Sequence, residues 1–395
     1  MKPPSANWGK TPWKISFRSA LKSLPARVDI VIIGGGFTGL AAAALAGRIA
    51  PDKSVLVLEA KRVGNGASGR TGGMVLAESA AGNLPGLGDV LQGYRKILRE
   101  LHVNADLTLP GVWEIARSSR SMDGKKIKPL KHSPIDWNDS GRVRIVKKVP
   151  GGTIDPGKVV DGLARAAVRA GALIAENAEV TRIDASHPIR LRVKWKTKTR
   201  MVTADRVLLA TNAGGLFLSP EISRHQPEPK LTFAIATAPL SKRQLAALGM
   251  TSGRPFYTVD LPYLWGRKFD KRRMIFGSGL VPAFNESLPR RQARNLWSGL
   301  EFENVLKGSS AERLKTLEQR VRALHPTLKN IRLTHRWGGP ILIAKDFVPL
   351  FRAHPKNKNL VFLGAYSGHG VAQSVYLGKR AADVLVGKRL LPNWR

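Results

Sequence analysis

The stretch that decides the fold is Val28-Asp-Ile-Val-Ile-Ile-Gly34-Gly-Gly36-Phe-Thr-Gly39, near the start of a chain of 395 residues. Val28–Ile33 is a β-branched apolar run that ends in three glycines, which is typical of a buried strand and its turn. Phe37–Ile49 is rich in Ala and Leu and predicts a helix, and Ser54–Glu59 predicts a second buried strand. The three segments predict one βαβ unit, with parallel strands and a right-handed crossover.

The turn of this unit has the spacing of a dinucleotide-binding motif. Gly34, Gly36 and Gly39 permit, in order, a tight turn, close approach of the backbone to a pyrophosphate, and close packing of helix on strand. The N-terminus of the helix offers unpaired N–H groups and a positive dipole end to phosphates. Glu59 closes the next strand, where it is placed to accept hydrogen bonds from a ribose diol and to repel a 2′-phosphate. The pattern predicts a bound dinucleotide other than NADP.

Two further glycine-rich loops favour FAD over NAD. Gly64–Gly73 follows directly after Glu59 and could run along an extended ligand, with Ser68 and Arg70 near the diphosphate. Gly364-Ala-Tyr-Ser-Gly-His-Gly370-Val371 stands at the start of a predicted C-terminal helix. Its backbone N–H groups could stabilise the negative charge that a reduced flavin develops. Three such loops spread over the chain suit a long ligand.

The remaining segments predict further strands and helices. Pro156–Ala170 predicts a helix with Asp155 as its N-cap, and the strict alternation of Ile189–Arg200 predicts one half-buried strand with a basic outer face. That face is interpreted as solvated, with an anion-binding ribbon as the alternative. Further predictions are a strand at Arg206–Ala210, strand-rich residues 231–281, a helix at Ala311–Leu324, and a strand at Leu360–Gly364 followed by a helix at Gly370–Leu385. Residues 117–148 are basic and irregular and are interpreted as part of a solvent-facing insertion.

The charge balance is strongly positive. Lys and Arg number 65 against 28 Asp and Glu, a formal net charge of +37. Such a surface adsorbs anionic lipid, acidic proteins or nucleic acid at low salt. The charge is dispersed and no RNA- or DNA-binding motif is present, so specific nucleic-acid binding is not expected. The candidate macromolecular partners are therefore an anionic membrane surface or an acidic protein.

Composition excludes several other kinds of site. The chain has no cysteine, so disulfides, thiolate nucleophiles and Cys-ligated metals are excluded, and its eight His lack metal-binding spacing. No apolar run approaches the roughly 20 residues of a membrane span, and residues 1–26 read as a basic extension without the apolar core of a secretory signal. We expect no metal site and a cytoplasmic protein, with peripheral attachment to a membrane left open.

The blocks Val28–Gly73, Ala210–Gly214, Arg336–Pro340 with Asp346 and Pro349, and Gly364–Gly378 resemble the FAD-dependent amine/D-amino-acid oxidase superfamily. Within it the chain looks closest to the gamma-glutamylputrescine oxidoreductase branch. The resemblance implies an α/β fold, with a Rossmann-type FAD-binding domain and an antiparallel-sheet (α+β) substrate domain. The first would comprise residues 27–78, 152–222 and 335–390, and the second residues 79–151 and 223–334.

The resemblance also implies a set of FAD contacts. By matching position they are Gly34, Gly36, Gly39, Glu59, Lys61, Ser68, Arg70, Gly73, Val180, Gly368, His369, Gly370 and Val371, with Val180 holding the adenine by its backbone. The sequence departs from the family at Thr71, where asparagine is common, and at Ala344, where threonine is common. Some relatives attach the flavin through a cysteine or a histidine. This chain has no cysteine and no histidine in the loop after Glu59, so non-covalent FAD is expected.

The implied activity is oxidation of a primary or secondary amine or an amino acid by hydride transfer to flavin N5, giving an imine that water hydrolyses. Candidate substrate residues are Tyr257, Tyr263, Trp265, Arg267 and Trp337, because aromatic faces attract ammonium groups and arginine pairs with carboxylates. Sheet packing is the alternative role for each. His369 is a candidate weak base or a loop hydrogen-bonding residue. The alternative function is the flavin subunit of a membrane-associated dehydrogenase that uses an acceptor other than oxygen.

Overall fold

A computed structural model describes residues 8–117, 128–219, 221, 225, 227–270, 272–282 and 306–388. The helices are α1 (Phe37–Ile49), α2 (Val90–Glu100), α3 (Pro156–Arg169), α4 (Lys242–Ala247), α5 (Gly308–Ala323) and α6 (Gly370–Leu385), with short 3-10 segments at Ala67–Gly69, Asn212–Leu218 and Pro326–Leu328. The strands are β1 (Arg27–Ile33), β2 (Val55–Leu58), β3 (Met74–Leu76), β4 (Val112–Ala116), β5 (Asp136–Asn138), β6 (Arg142–Val149), β7 (Gly151–Thr153), β8 (Leu173–Ala175), β9 (Ala178–Asp184), β10 (Ile189–Trp195), β11 (Lys198–Leu209), β12 (Glu228–Thr237), β13 (Phe256–Thr258), β14 (Leu264–Phe269), β15 (Arg273–Pro282), β16 (Leu333–Ile343), β17 (Leu350–His354) and β18 (Asn357–Gly364).

The first sheet contains the predicted βαβ unit. Its strand order is β17-β18-β11-β1-β2-β8, and β1 pairs in parallel with both β2 and β11. β9 and β10 extend it as an antiparallel meander that joins the N-terminal half of β11. All of β2 and residues Ile30–Ile33 of β1 are apolar and buried, as parallel strands usually are.

Helix α1 is buried along almost its whole length. Eleven of its thirteen residues are Gly, Ala, Leu, Phe or Ile, and small side chains let it pack against α3 and α6 at once. At Gly39 a Cβ would lie 2.0 Å from the carbonyl oxygen of Gly34, so only glycine fits there. The predicted strand–turn–helix is confirmed. The predicted N-cap of α3 is confirmed as well, since the Asp155 carboxylate accepts a hydrogen bond from the Lys158 N–H at 3.0 Å.

Two predictions about the chain path are wrong. Ile189–Arg200 is not one strand, because β10 ends at Trp195 and the chain turns back at Lys196, whose φ is 55°, into β11. Inner and outer residues alternate in β10 as expected, but basic residues continue at every second position through Lys196, Lys198 and Arg200, which hides the reversal. Residues 117–148 are not simply an irregular insertion. β5 and β6 bury Trp137, Val143 and Ile145 in the second sheet, while residues 118–127 lie outside the described part.

The second sheet has the order β16-β12-β15-β14-β13-β4-β6-β5. Its neighbours are antiparallel except for β13 and β4, which run parallel. β16 belongs to this sheet, although residues 335–390 were assigned to the first domain from the sequence. The predicted α/β class with a second, mainly antiparallel sheet is confirmed, while the domain boundaries stay predictions.

The N-terminal segment packs onto both sheets. Trp13 is 7% exposed, donates its indole N–H to the Gly69 carbonyl at 2.7 Å, and meets the Trp337 ring edge-on at 5.5 Å. The Asp161 carboxylate of α3 accepts hydrogen bonds from the N–H groups of Ser16 and Phe17. Residues 8–26 are therefore part of the packed structure rather than a free arm. Within the described ranges, no helix combines the length and apolarity needed to cross a membrane.

Candidate active site

The three predicted glycine loops meet at the carboxyl ends of the first-sheet strands. Gly34 follows β1 with φ of +112°, and a Cβ there would lie 2.7 Å from the Ala210 carbonyl at the end of β11. Gly36 caps α1, and a Cβ on it would lie 2.8 Å from Ser68 Oγ. The Phe37 N–H donates to that hydroxyl at 2.9 Å. Gly36 thus keeps a narrow opening between α1 and the Gly64–Gly73 loop.

The N-terminus of α1 is suited to an anion. It has no acidic residue in its first turn, and its N-cap residue Gly36 has no side chain to bond the first-turn N–H groups. The unpaired N–H groups and the helix dipole there favour a negatively charged group. A diphosphate is such a group, and the room left by Gly36 allows it to come close.

Glu59 lies beneath the same turn. Its Oε2 accepts the Gly35 N–H at 2.8 Å and its Oε1 accepts the Lys61 N–H at 2.9 Å, while the Lys61 side chain is exposed. Burial raises the pKa of Glu59, against the effect of those two hydrogen bonds and of the Lys61 charge. Each oxygen keeps a lone pair for a further donor, as a ribose diol requires.

The third loop stands at the N-terminus of α6. His369 is the N-cap residue of this helix, and Gly368 before it has φ of +89°. Burial lowers the pKa of His369, although a hydrogen bond with the Ser367 carbonyl and the charge of Glu78 act in the opposite direction. The imidazole is therefore neutral at neutral pH. Tyr366 Oη lies 2.7 Å from Thr38 Oγ1, which joins this loop to the first turn of α1.

Two other predicted contacts are Arg70 and Val180. Arg70 donates to the carbonyls of Asn65, Trp8 and Gly9 at 3.1–3.2 Å and lies 5.0 Å from the Trp8 ring, so it ties the N-terminal segment to the glycine loop. Burial lowers the pKa of Arg70 to about 10. Val180 lies on β9, which pairs only with β10 among the described strands. Whether these residues contact FAD stays a prediction.

The register of the second sheet places the candidate substrate residues on one face. Tyr257 pairs with Trp265 across β13 and β14, and Trp265 pairs with Gly277 of β15. Directly opposite residues of neighbouring strands share a face, and so do residues two apart along one strand. Tyr263, Trp265 and Arg267 therefore all project from the face that carries Tyr257.

This face packs on the Gly64–Gly73 loop. A Cβ on Gly72 would lie 2.1 Å from the Trp265 ring, and a Cβ on Gly277 would lie equally close to the other part of that ring. Trp337, at 1% exposure, donates its indole N–H to the Arg70 carbonyl at 2.9 Å. The predicted cofactor loop and the predicted substrate residues are thus in direct contact.

Arg267 is the most unusual residue of this face. It is only 4% exposed, and among the described residues neither its Nε nor its Nη2 has a hydrogen-bond partner. A Cβ on Gly73 would lie 3.0 Å from Nη2. Burial lowers the pKa of Arg267 to about 10, partly opposed by Asp155, so the guanidinium stays charged at neutral pH. A buried, unpaired cation calls for an anionic partner.

The sequence predictions missed Glu114. Tyr257 donates its hydroxyl to Glu114 Oε1 at 2.8 Å, and burial together with this carboxylate raises the pKa of Tyr257. β4 is otherwise apolar, Val112-Trp-Glu-Ile-Ala116, so its single charged residue was a signal that could have been used. Glu114 fixes the direction of the Tyr257 hydroxyl on the candidate substrate face.

A cavity of about 400 Å³ lies elsewhere, between β17, β18 and Ser219. Its lining includes the ion pair of His354 Nε2 and Glu221 Oε2 at 3.2 Å, and none of the predicted site residues. The candidate site is therefore identified by the glycine loops and the Arg267 face rather than by this cavity. Among the described residues no group of three or more His, Asp or Glu could hold a metal ion.

Comparison with known proteins decides the family. The DAO family model, described as FAD dependent oxidoreductase, matches residues 29–384. The chain belongs to the DAO family. The predicted FAD cofactor and the predicted oxidoreductase class of this DAO-family protein are thereby confirmed, and the glycine cradle, the Glu59 carboxylate and the uncapped helix ends fit that cofactor.

The relatives of this DAO-family chain span most of its length. A probable oxidoreductase OrdL from Rhizobium meliloti is 27% identical over 392 residues, which is 92% of this chain and 84% of the relative. Gamma-glutamylputrescine oxidoreductase from Escherichia coli is 26% identical over 397 residues, 91% of this chain and 84% of that enzyme.

Solved structures share the fold. L-proline dehydrogenase from P. horikoshii superposes with a TM-score of 0.67 at 17% identity, covering 93% of this chain and 96% of that one. Glycine oxidase from Bacillus cereus gives a TM-score of 0.68 at 17% identity, covering 93% and 99%.

Proposed function

We propose that this protein oxidises a primary or secondary amine or an amino acid to an imine, which water then hydrolyses. The observation that carries the proposal is Arg267, a buried guanidinium beside Gly73 of the cofactor loop, whose Nε and Nη2 have no hydrogen-bond partner in the described part of the chain. Curated relatives and structural neighbours named for amine or amino-acid substrates support the same class. FAD, when bound, supplies the acceptor for the hydride equivalent from the carbon next to nitrogen.

The cofactor contacts are proposed from their position. We assign to FAD Gly34, Gly36, Gly39, Glu59, Lys61, Ser68, Arg70, Gly73, Val180, Gly368, His369, Gly370 and Val371. The α1 N-terminus would take the diphosphate and Glu59 the ribose, while the N-terminus of α6 would face the flavin ring. In this scheme, residues 27–78, 152–222 and 335–390 form the FAD-binding domain and residues 79–151 and 223–334 the substrate domain.

The substrate would lie between the cofactor loop and the Arg267 face. Arg267 is placed to pair with a substrate carboxylate through Nε and Nη2, the two nitrogens of a bidentate fork. Tyr263 and Trp265 would line the site around the reacting carbon and exclude water from it. Burial raises the pKa of Tyr263, so its hydroxyl stays neutral. His369, neutral because its pKa is lowered, could accept the proton that an ammonium substrate must lose before it is oxidised.

An absorbance experiment tests this function. The purified protein should show the bands of oxidised flavin, and anaerobic addition of amines and amino acids should bleach them for one chemical class. Each amino acid is paired with the amine that lacks its carboxylate, and we expect bleaching to be faster with the carboxylate. A yellow protein that no amine or amino acid reduces would contradict the proposal.

The electron acceptor is a second question. One alternative is a membrane-associated dehydrogenase that passes electrons to a quinone-like acceptor. The outer face of the β9–β10 ribbon favours it, because Arg190, Arg192 and Lys194 are all exposed. Arg190 and Lys194 lie opposite Asp184 and Glu179, whereas Arg192 lies directly opposite Arg182. Like charges in directly opposite positions are destabilising unless an anion lies over them. Turnover with an artificial dye but not with oxygen would support the dehydrogenase.

Charge reversal on this ribbon tests a peripheral position at an anionic membrane. Replacing Arg190, Arg192 and Lys194 by Glu should reduce binding to phosphatidylglycerol vesicles by roughly 10²-fold at low salt, since each basic residue near an anionic surface contributes about 1 kcal/mol. Cosedimentation measures the loss. The matched control reverses exposed Lys242, Arg243 and Lys315, which alters the net charge equally. Equal loss in both variants, or binding only to acidic protein, would contradict the membrane assignment.

A further inference from the structure

Four charged residues form a buried cluster behind the candidate substrate face. Asp139, whose side chain is 4% exposed, receives Arg320 Nε and Nη2 at 2.8 and 2.7 Å and Arg117 Nη2 at 2.8 Å. Arg117 also pairs with Asp260. Burial alone would raise the pKa of Asp139, but the two guanidinium groups outweigh it and hold that pKa below its usual value. We call these residues the arginine–aspartate cluster.

The cluster joins four separate parts of the chain. Arg117 follows β4, Asp139 lies in the turn between β5 and β6, Asp260 follows β13, and Arg320 lies on α5. Buried ion pairs are weak contributors to stability, because desolvating the charges offsets most of their attraction. The remaining hydrogen bonds of the cluster indicate a role other than stabilisation.

Most of those hydrogen bonds go to one loop, residues 259–263, and one goes to Ser278 of β15. Arg320 Nη1 donates to the Tyr263 carbonyl at 2.9 Å, and Arg320 Nη2 donates to the Pro262 carbonyl at 2.7 Å. Ser278 Oγ donates to the Tyr263 carbonyl at 2.6 Å and accepts from Arg320 Nη1 at 3.1 Å. The backbone N–H of Arg117 donates to Asp260 Oδ2 at 2.8 Å. The loop is thus held mainly by its carbonyl groups.

Apolar packing contributes less than these hydrogen bonds to the position of the loop. Leu261 is 67% exposed and Pro262 is exposed as well. Tyr263 follows immediately, on the strand face that carries Trp265 and Arg267. The Pro262 carbonyl also accepts a hydrogen bond from Arg117 Nη2, so Arg320 shares that atom, whereas the Tyr263 carbonyl accepts from Arg320 and Ser278. The orientation of the Tyr263 ring therefore depends on backbone atoms that Arg320 helps to fix.

We propose that Arg320 is a positioning residue for the substrate. By holding the carbonyl groups of Pro262 and Tyr263, it fixes the loop that presents the Tyr263 ring to the amine. The inference rests on the proposed amine oxidation. It assigns a functional role to a side chain that touches neither substrate nor cofactor, and it links α5 to the wall of the site.

A double-mutant cycle tests the proposal in the FAD-loaded enzyme. Arg320→Gln and Tyr263→Ala should each raise KM for the amine by about 10-fold or more, since small misplacements of a positioning group have effects of this size. If Arg320 acts through Tyr263, the double variant should be no worse than the poorer single variant. Additive effects would overturn the proposal.

Glu318→Gln is the matched control. Glu318 lies on α5 two residues before Arg320 and pairs with Arg336 of β16, so its loss loosens the same helix without touching the loop. KM should be unchanged in this variant. An equal rise in KM would show that general loosening of α5 explains the effect, which would also overturn the proposal.

Hydrogen exchange gives a readout that needs no turnover. Amides of residues 259–264 should exchange faster in Arg320→Gln than in Glu318→Gln, with other segments unchanged. Arg320→Lys keeps the charge but loses the planar fork, and it replaces the glutamine variant if that variant does not fold. Amide exchange of residues 259–264 should then increase by a smaller amount. Unchanged loop exchange would overturn the positioning role. If no amine reduces the wild-type flavin, the proposed function fails instead, and this exchange experiment still tests the loop.

Discussion

Replacement of Gly36 by Val should yield colourless protein that does not bind FAD. A Cβ at this position lies 2.8 Å from Ser68 Oγ, and the two further methyl groups of Val would occupy the opening above the α1 N-terminus. Since the backbone N–H groups there can no longer approach a diphosphate, we expect the affinity for FAD to fall at least about 10³-fold. Absorbance of the purified protein and titration of stripped protein with FAD measure the loss.

Gly36→Ala provides a graded comparison. Its single methyl group meets only the end of the Ser68 side chain, which can rotate, so part of the FAD affinity should remain. Far-ultraviolet circular dichroism should show the wild-type fold in both variants. A valine variant that is isolated yellow and fully loaded would contradict the assignment of the first glycine loop to the diphosphate.

Replacement of Arg267 by Met should separate activity from stability. For amines that carry a carboxylate, kcat/KM should fall by roughly 10²- to 10³-fold, because a buried charge-assisted pair is lost. In substrate-free protein the same change removes a desolvated cation whose Nε and Nη2 have no hydrogen-bond partner within the described ranges, so the free energy of unfolding should rise by about 1–3 kcal/mol. Steady-state kinetics and urea unfolding measure the two effects.

Two comparisons make the Arg267 result specific. Arg267→Lys keeps the positive charge without the planar fork and should recover only part of the activity. An amine without a carboxylate should react equally with the wild type and the Met variant. If the Met variant loses activity equally with both substrates, or unfolds more easily than the wild type, Arg267 is a structural residue of the sheet.

The cofactor half of the site was predictable because its signal is local. Gly34, Gly36 and Gly39 follow one another in a single turn, and their functions depend on steric limits that the residue type alone imposes. The same holds for α3, whose cap at Asp155 is followed by proline. Here the residues that determine the structure are adjacent in sequence.

The substrate half was less predictable because it depends on register between distant strands. Nothing in the sequence pairs Tyr257 with Glu114, 143 residues away, or places Trp265 against Gly72. The reversal at Lys196 was missed for a related reason, since basic residues recur at every second position across the turn even though residues 196–200 are all exposed. The arginine–aspartate cluster likewise joins residues that only the folded chain brings together.

Trp13 has a consequence for how substrate enters. Its indole is hydrogen-bonded to the Gly69 carbonyl, in the loop after β2 of the first sheet. Its ring also makes edge-to-face contacts with Phe269 and Trp337 of the second sheet. A rigid-body separation of the two sheets would break the contacts of this side chain with one of them. We therefore expect the amine to enter through a small local displacement at the edge of the site. The contacts between the two sheets should remain in place throughout turnover.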